Sequence, residues 1–121
     1  MINHFKDLIV YQEAHKLALL IYKCTKTFPQ DERFALVDQM RRSAISITSN
    51  IAEGFGRNTS KDKIFFYTIS RGSLLELESQ CMIARDLLYI KEENFKIIEN
   101  NIYLVAKLLS GLIKTAPARQ F

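Results

Sequence analysis

The sequence predicts an all-α protein, an antiparallel up-down-up-down four-helix bundle that forms one domain over residues 1–121. Apolar residues recur at spacings of three and four through most of the chain, which is the pattern of amphipathic helices. The chain has only 4 glycines and 2 prolines, too few for the many tight turns of an all-β fold. Its 121 residues, of which 48% are hydrophobic, suffice for a single core.

The first helix is predicted over residues 7–28. Asp7 is its expected N-cap, because a carboxylate accepts hydrogen bonds from the free backbone N–H groups of a first turn. Pro29 is expected to end the helix, since proline breaks the backbone hydrogen-bond ladder. The predicted buried stripe is Val10, Ala14, Leu17, Ile21, Cys24 and Phe28.

The second helix is predicted over residues 33–55, with two different faces. Its apolar stripe is Val37, Met40, Ala44, Ile47, Ile51 and Phe55. Its opposite face carries mostly short hydroxyl and amide groups, which let another backbone approach and can form hydrogen bonds when buried. We therefore expect it to be packed on both sides; the alternative is a surface helix with an ordinary polar side. Gly54 and Gly56 are expected to supply a left-handed cap at its end.

The third helix is predicted over residues 60–89, with Thr59 or Ser60 as its cap. One apolar side holds Phe66, Ile69, Ser73, Leu77, Gln80, Ala84 and Leu88, and another holds Ile64, Leu75 and Met82. The strip predicted to face solvent is Tyr67, Arg71, Glu78 and Arg85. A helix that is apolar on two sides needs two partners, and we expect the second to be another copy of the chain. Gly72 predicts a close helix crossing, because a glycine in mid-helix is otherwise only destabilising.

The fourth helix is predicted over residues 92–116 and is ended by Pro117. Its apolar residues follow the spacing of a coiled-coil seam. They are Phe95, Ile98, Ile102, Val105, Leu109, Leu112 and Ala116. The few residues after Pro117 are expected to fray.

The formal net charge of +4 lies entirely within residues 41–71, which hold six basic and two acidic residues. A local basic excess is typical of a surface that binds polyanions. The predicted nucleic-acid contacts are Arg41, Arg57, Lys61, Lys63 and Arg71. Phe65, Phe66 and Tyr67 lie nearby and have rings that can stack on bases, but we expect these aromatic residues in the core or in an interface.

A second set of polar residues is predicted to form a hydrogen-bonded network between helices 2 and 3, within one chain or between copies. Its members are Arg42, Ser46, Asn50, Glu53, Ser73 and Glu76. Charged groups persist in a buried site only when they are paired. The alternative is that these are separate, solvated side chains.

The sequence offers no catalytic residue, cofactor site or metal site, so we expect a protein that is not an enzyme. A di-iron site in a bundle needs Glu-x-x-His pairs, and neither His4 nor His15 follows a glutamate by three. No histidine is placed in the sequence to activate a serine nucleophile. No phosphate-binding glycine motif occurs either.

The chain is expected to be cytoplasmic. Its first residues contain no uninterrupted apolar stretch, and no apolar run approaches the roughly 20 residues of a membrane span. Cys24 and Cys81 each lie in an apolar helical pattern without CxxC spacing, which predicts reduced, buried thiols.

Three segments together resemble the four-helix bundle family of 23S ribosomal-RNA intervening-sequence proteins. They are Phe5-Lys6-Asp7-Leu8, the stretch from Gln39 through Gly54, and Gly72-Ser73-Leu74-Leu75-Glu76-Leu77-Glu78. The resemblance covers essentially the whole chain in order. Tyr11 stands where the family usually has Trp, and Thr48 stands where it often has Pro, which predicts a more regular second helix.

This resemblance implies a partner and an assembly, but no catalytic residue. The family is encoded within insertions in ribosomal-RNA genes and is similar to the accessory protein of diversity-generating retroelements. That accessory protein forms a five-fold barrel and associates with a reverse transcriptase and nucleic acid. The expected partners are therefore copies of the chain, as a homopentamer, and RNA or a nucleic-acid enzyme. The alternative is a protein-binding scaffold with no nucleic-acid role.

Overall fold

The computed structural model describes residues 2–117 and contains four α-helices. They are α1 (Ile9–Thr25), α2 (Leu36–Phe55), α3 (Ser60–Asp86) and α4 (Glu92–Thr115). Each helix packs against two others, α1 and α3 both lying between α2 and α4. No strand occurs in this part of the chain, so the predicted all-α four-helix bundle is confirmed. The residues after Pro117, which were expected to fray, lie outside the described range.

The core is built from the apolar stripes that the spacing predicts. In α4 every predicted seam residue from Phe95 to Leu112 is buried, and Ala116 is buried just beyond the helix. In α1 the stripe from Val10 to Ile21 is buried, while Cys24 is only half-buried. The side chains that are fully enclosed at the centre include Leu17, Ile21, Met40, Ile47, Leu77, Val105 and Leu109.

The first helix is shorter than the predicted span of 7–28. Phe5–Asp7 form a separate 3-10 turn, and the Asp7 carboxylate accepts hydrogen bonds from the backbone N–H groups of Asn3 and His4 at 3.2 and 3.1 Å. Asp7 as the N-cap of the first helix is therefore wrong, because Asp7 completes the capping box of the preceding turn and Leu8 is the N-cap of α1. At the other end α1 stops at Thr25, although Phe28 still reaches the core.

The ends of α2 also differ from the predicted span of 33–55. Gln30–Glu32 form a 3-10 turn, so the α-helix starts at Leu36 instead of residue 33. The predicted end at Phe55 is right, but the predicted left-handed glycine cap is wrong, because Gly56 has a φ of −78°. The backbone N–H of Gly56 donates to the oxygens of Ala52 and Gly54 at this end, and the Lys63 ammonium group donates to the backbone oxygen of Phe55 at 2.7 Å.

The left-handed cap of this fold is a leucine at the end of α3. The helix ends at Asp86, short of the predicted residue 89, and Leu88 adopts a φ of 64°. The N–H of Leu88 donates to the oxygen of Arg85, and that of Tyr89 to the oxygen of Ala84, both at 2.9 Å. This bond pair is the Schellman motif, in which glycine is usual. Leu88 was predicted to be in the core stripe, but it is 89% exposed.

The two loops at this end of the bundle are joined by Tyr89. Its hydroxyl donates to the Glu32 carboxylate at 2.8 Å, which raises the pKa of Tyr89, and its ring lies 5.3 Å from that of Phe28. The α1–α2 and α3–α4 connections therefore close the same end of the bundle. The α2–α3 turn lies at the opposite end.

Leu88→Gly is predicted to stabilise the protein by about 1 kcal/mol, because it removes the left-handed strain of a side chain that makes no core contact. Urea or thermal unfolding measures this, and we expect the Tm to rise by about 4 °C. Leu87→Gly is the matched control, since Leu87 is half exposed but has a φ of −81°. A Leu88→Gly protein no more stable than the wild type would contradict the prediction.

Candidate interaction surfaces of the α2–α3 pair

Small polar residues bring α2 and α3 close together along their lengths. Ser70, which is fully buried, donates its hydroxyl to the backbone oxygen of Ile47 at 2.8 Å. The hydroxyl oxygens of Ser46 and Ser73 lie 2.7 Å apart and share a hydrogen bond. Such side chains occupy little volume, and these hydroxyl groups are paired, so the two helices can approach closely at these positions.

A close approach of the two helices lies at Gly54, near the end of α2. A Cβ atom on Gly54 would lie 2.6 Å from Cε1 of Tyr67 and 3.2 Å from Cβ of Phe66, so any side chain here would collide with α3. Tyr67 was predicted to face solvent, and this is wrong: it is 3% exposed. Gly54 lies opposite Tyr67 and leaves the space that the Tyr67 ring fills.

Part of the predicted polar network forms, and its hydrogen bonds lie within one chain. The Asn50 amide donates to the backbone oxygen of Ser46 at 2.8 Å and to its hydroxyl at 3.1 Å, next to Ser73. Arg42 and Glu53 do not join this cluster. Arg42 pairs with Asp38 along α2 at 3.1 Å, and Glu53 pairs with Arg57, which lies just beyond the end of α2, at 2.9 Å.

Glu76 is exposed and lies beside the cluster on α3. It helps to line an open polar groove of about 500 Å³ between the two helices. The other residues lining the groove are Asp38, Gln39, Arg42, Ser43, Ser46 and Ser73. Of the six residues of the predicted network, Ser46, Asn50 and Ser73 are therefore joined by hydrogen bonds. Arg42 and Glu53 form separate surface ion pairs, and Glu76 lines the groove.

Three of the five predicted nucleic-acid contacts meet at the α2–α3 turn. Lys63 donates to backbone oxygens at the end of α2, and partial burial lowers the pKa of its ammonium group. The Arg57 guanidinium lies 4.5 Å from the ring centroid of Phe66 while it pairs with Glu53. Lys61 is exposed in the first turn of α3. We call Arg57, Lys61 and Lys63 the turn cations.

The other two predicted contacts lie elsewhere. Arg41 is half-buried and donates to the hydroxyl of Thr25 at 2.9 Å and to the backbone oxygen of Tyr22 at 3.3 Å. Its guanidinium also lies 4.6 Å from the ring centroid of Tyr22, so Arg41 fastens α2 to α1. Arg71 is exposed on α3, ten residues beyond Lys61 and so about 15 Å further along the axis.

The outward side of α3 carries apolar residues that no other part of the described chain covers. Leu75 is 63% exposed, Met82 45% and Ile83 51%. A Cβ atom on Gly72 would meet no atom within 4 Å, so the close crossing predicted at Gly72 does not occur within residues 2–117. We call Gly72, Leu75, Met82 and Ile83 the outer face of α3. Sequence spacing found Leu75 and Met82, whereas Ile83 was missed.

Residues 2–117 contain no group of three His, Cys, Asp or Glu side chains placed to hold a metal ion. Both cysteines in this range are free thiols. Burial raises the pKa of Cys24 to about 11 and that of Cys81 to about 12, so both are neutral and weakly nucleophilic near neutral pH. None of the helices described has the length and apolar character to cross a membrane.

Comparison with known proteins identifies the family. The family model of the 23S rRNA-intervening sequence protein matches residues 6–111. The chain belongs to this family. It is also similar to the crystal structure of a protein of unknown function from the S23 ribosomal protein family of Bacteroides thetaiotaomicron, at 28% sequence identity and a TM-score of 0.83. That match covers 91% of this chain and 99% of the other. No curated protein matches the chain.

Gly54→Ala is predicted to destabilise the family member described here by about 1–3 kcal/mol, because the added methyl group must displace the Tyr67 ring in a filled space. Gly111→Ala is the control, since Gly111 lies on α4 with open space around it and alanine there favours the helix. Chemical denaturation of both variants measures the difference. Equal stabilisation by the two substitutions would show that α2 and α3 are not in tight contact at Gly54.

Proposed function

We propose that this protein is a non-enzymatic, cytoplasmic scaffold that self-associates and binds structured RNA through the turn cations. The observation that carries the proposal is the gathering of Arg57, Lys61 and Lys63 at one turn. Cations at this density contact phosphates without regard to sequence, and they make the affinity depend on salt. Membership in a family named for the 23S rRNA intervening sequence favours RNA as the polyanion.

The packing around the turn supports a role in binding. Arg57 is held from two sides, by the Phe66 ring and by Glu53, and its side chain is still 43% exposed. Holding a long side chain in place before binding reduces the entropy that binding would otherwise cost. Lys61 lies at the N-terminus of α3, where the helix dipole adds to the attraction for a phosphate.

Self-association is proposed through the outer face of α3. Exposed apolar side chains that recur along one helix mark an interaction site more often than scattered ones do. Gly72 leaves room in the middle of this face for a second backbone to approach. If five copies assemble, as the family resemblance implies, the formal charge reaches about +20, and many weak phosphate contacts combine into one stronger interaction.

A protein-binding scaffold without any RNA contact is the second candidate. The outer face of α3 favours it, because the same apolar residues that suit another copy of the chain also suit a different protein. A nucleic-acid enzyme is one such partner. The two candidates differ in whether the turn cations matter.

The double substitution Arg57→Gln with Lys61→Gln is predicted to weaken RNA binding about tenfold at low salt. It should also flatten the slope of log affinity against log salt by about 1.5, because two phosphate contacts are lost. Filter binding to structured ribosomal RNA across a salt series measures both quantities.

The matched control is Lys26→Gln with Lys96→Gln, which removes the same charge from exposed positions just after α1 and on α4. An equal loss in both double variants would indicate that the turn has no special role. Absence of RNA binding by the wild-type protein at low salt would favour the protein-binding scaffold instead.

A further inference from the structure

We propose that Phe65 is a stacking platform for an unpaired RNA base, so that the turn cations bind single-stranded segments in preference to duplex. This proposal rests on the proposed function, in which the turn cations bind RNA. It goes further by naming the form of RNA and the residue that selects it.

Phe65 is an aromatic residue that is largely exposed and packs against a half-buried neighbour. It lies in the second turn of α3 and is 60% exposed, so the expectation that it lies in the core is wrong. Its ring stands at 90° to the ring of Phe66, with the centroids 5.2 Å apart. Phe66 is half-buried against the bundle, and the edge-to-face contact restricts the orientation of its neighbour. A fixed aromatic face open to solvent is the feature on which unpaired bases stack.

The charges around Phe65 match the backbone of a bound nucleotide. Lys61 is four residues before Phe65, so the two side chains emerge on the same side of the helix. Arg57 lies over the Phe66 ring, and the exposed Phe65 ring contacts Phe66 edge to face. Phe66 therefore holds a cation and an exposed aromatic ring at separate positions. The acidic group on this turn of α3 is Asp62, which lies on the other flank from Lys61. A strand that stacks a base on Phe65 therefore reaches phosphate contacts from the Lys61 side.

Phe65 lies on the same side of α3 as Gly72, which follows it by seven residues, or about 10 Å along the helix axis. The stacking position therefore adjoins one end of the outer face of α3, and Leu75 lies about 15 Å beyond Phe65. A duplex cannot use the platform, because its bases are paired and stacked on one another. The cations alone contact both forms of RNA, so the preference for single strands has to come from Phe65.

Phe65→Trp tests the contact directly, because the chain has no tryptophan and the new indole is the sole reporter. Titration with a single-stranded oligouridine is expected to quench its fluorescence to saturation. A duplex of equal length is expected to leave it nearly unchanged. Tyr103→Trp is the matched control, since Tyr103 is 53% exposed on α4 beside the Glu99 carboxylate, and its emission should not respond.

Phe65→Ala completes the test by affinity. Stacking is worth enough that its loss should weaken binding of the single strand about tenfold, while duplex binding stays within about twofold. If Phe65→Ala weakens the binding of single strand and duplex equally, or changes neither affinity, the stacking proposal is overturned, while the turn remains an RNA site. If the indole of Phe65→Trp is already shielded from solvent before RNA is added, and RNA does not quench it, another copy of the chain covers Phe65. That result would also overturn the stacking proposal. If neither form of RNA binds the wild type, the proposed function fails as well.

Discussion

The close approach of α2 to α3 is the constraint on which the rest of the structure depends. Gly54 leaves space for Tyr67, and the Ser70 hydroxyl satisfies a backbone oxygen of α2 at the centre of the contact. These contacts fix the rotation of α3 about its own axis. Once Tyr67 and Ser70 face α2, helical geometry turns Leu75 and Met82 outward. The apolar outer face is thus a consequence of how the pair packs, as much as of the residues that form it.

The same pair also arranges its connecting turn. Because α2 ends without a left-handed glycine, Lys63 reaches back to the carbonyl oxygens of Gly54 and Phe55, and this holds one cation close to the helix end. Phe66 packs near Gly54 and carries the Arg57 guanidinium on its ring. Residues that stabilise the turn therefore also gather its positive charge. This coupling explains why basic residues near one loop in sequence become one surface in space.

Much of the fold follows from the sequence, because four apolar stripes of helical period need each other for burial. The local pattern does not reveal the space that Gly54 makes for Tyr67, since the two residues belong to different helices. The local pattern also predicts the left-handed cap at a glycine. In the structure Leu88 adopts the left-handed conformation, and the Schellman hydrogen bonds hold it there. The clustering of Arg57, Lys61 and Lys63 is predictable from their proximity in sequence. The engagement of Arg41 with α1 is not, because it depends on tertiary packing.

We propose that copies of the chain cover for one another the apolar outer face that the tight α2–α3 pair presents. The solution mass of the purified protein by multi-angle light scattering tests this most directly. The account predicts a multiple of the chain mass of 14.0 kDa, which Leu75→Lys should reduce. Leu19→Lys, at a leucine of similar exposure on α1, should leave it unchanged. A wild-type protein of about 14.0 kDa at every concentration would contradict the account.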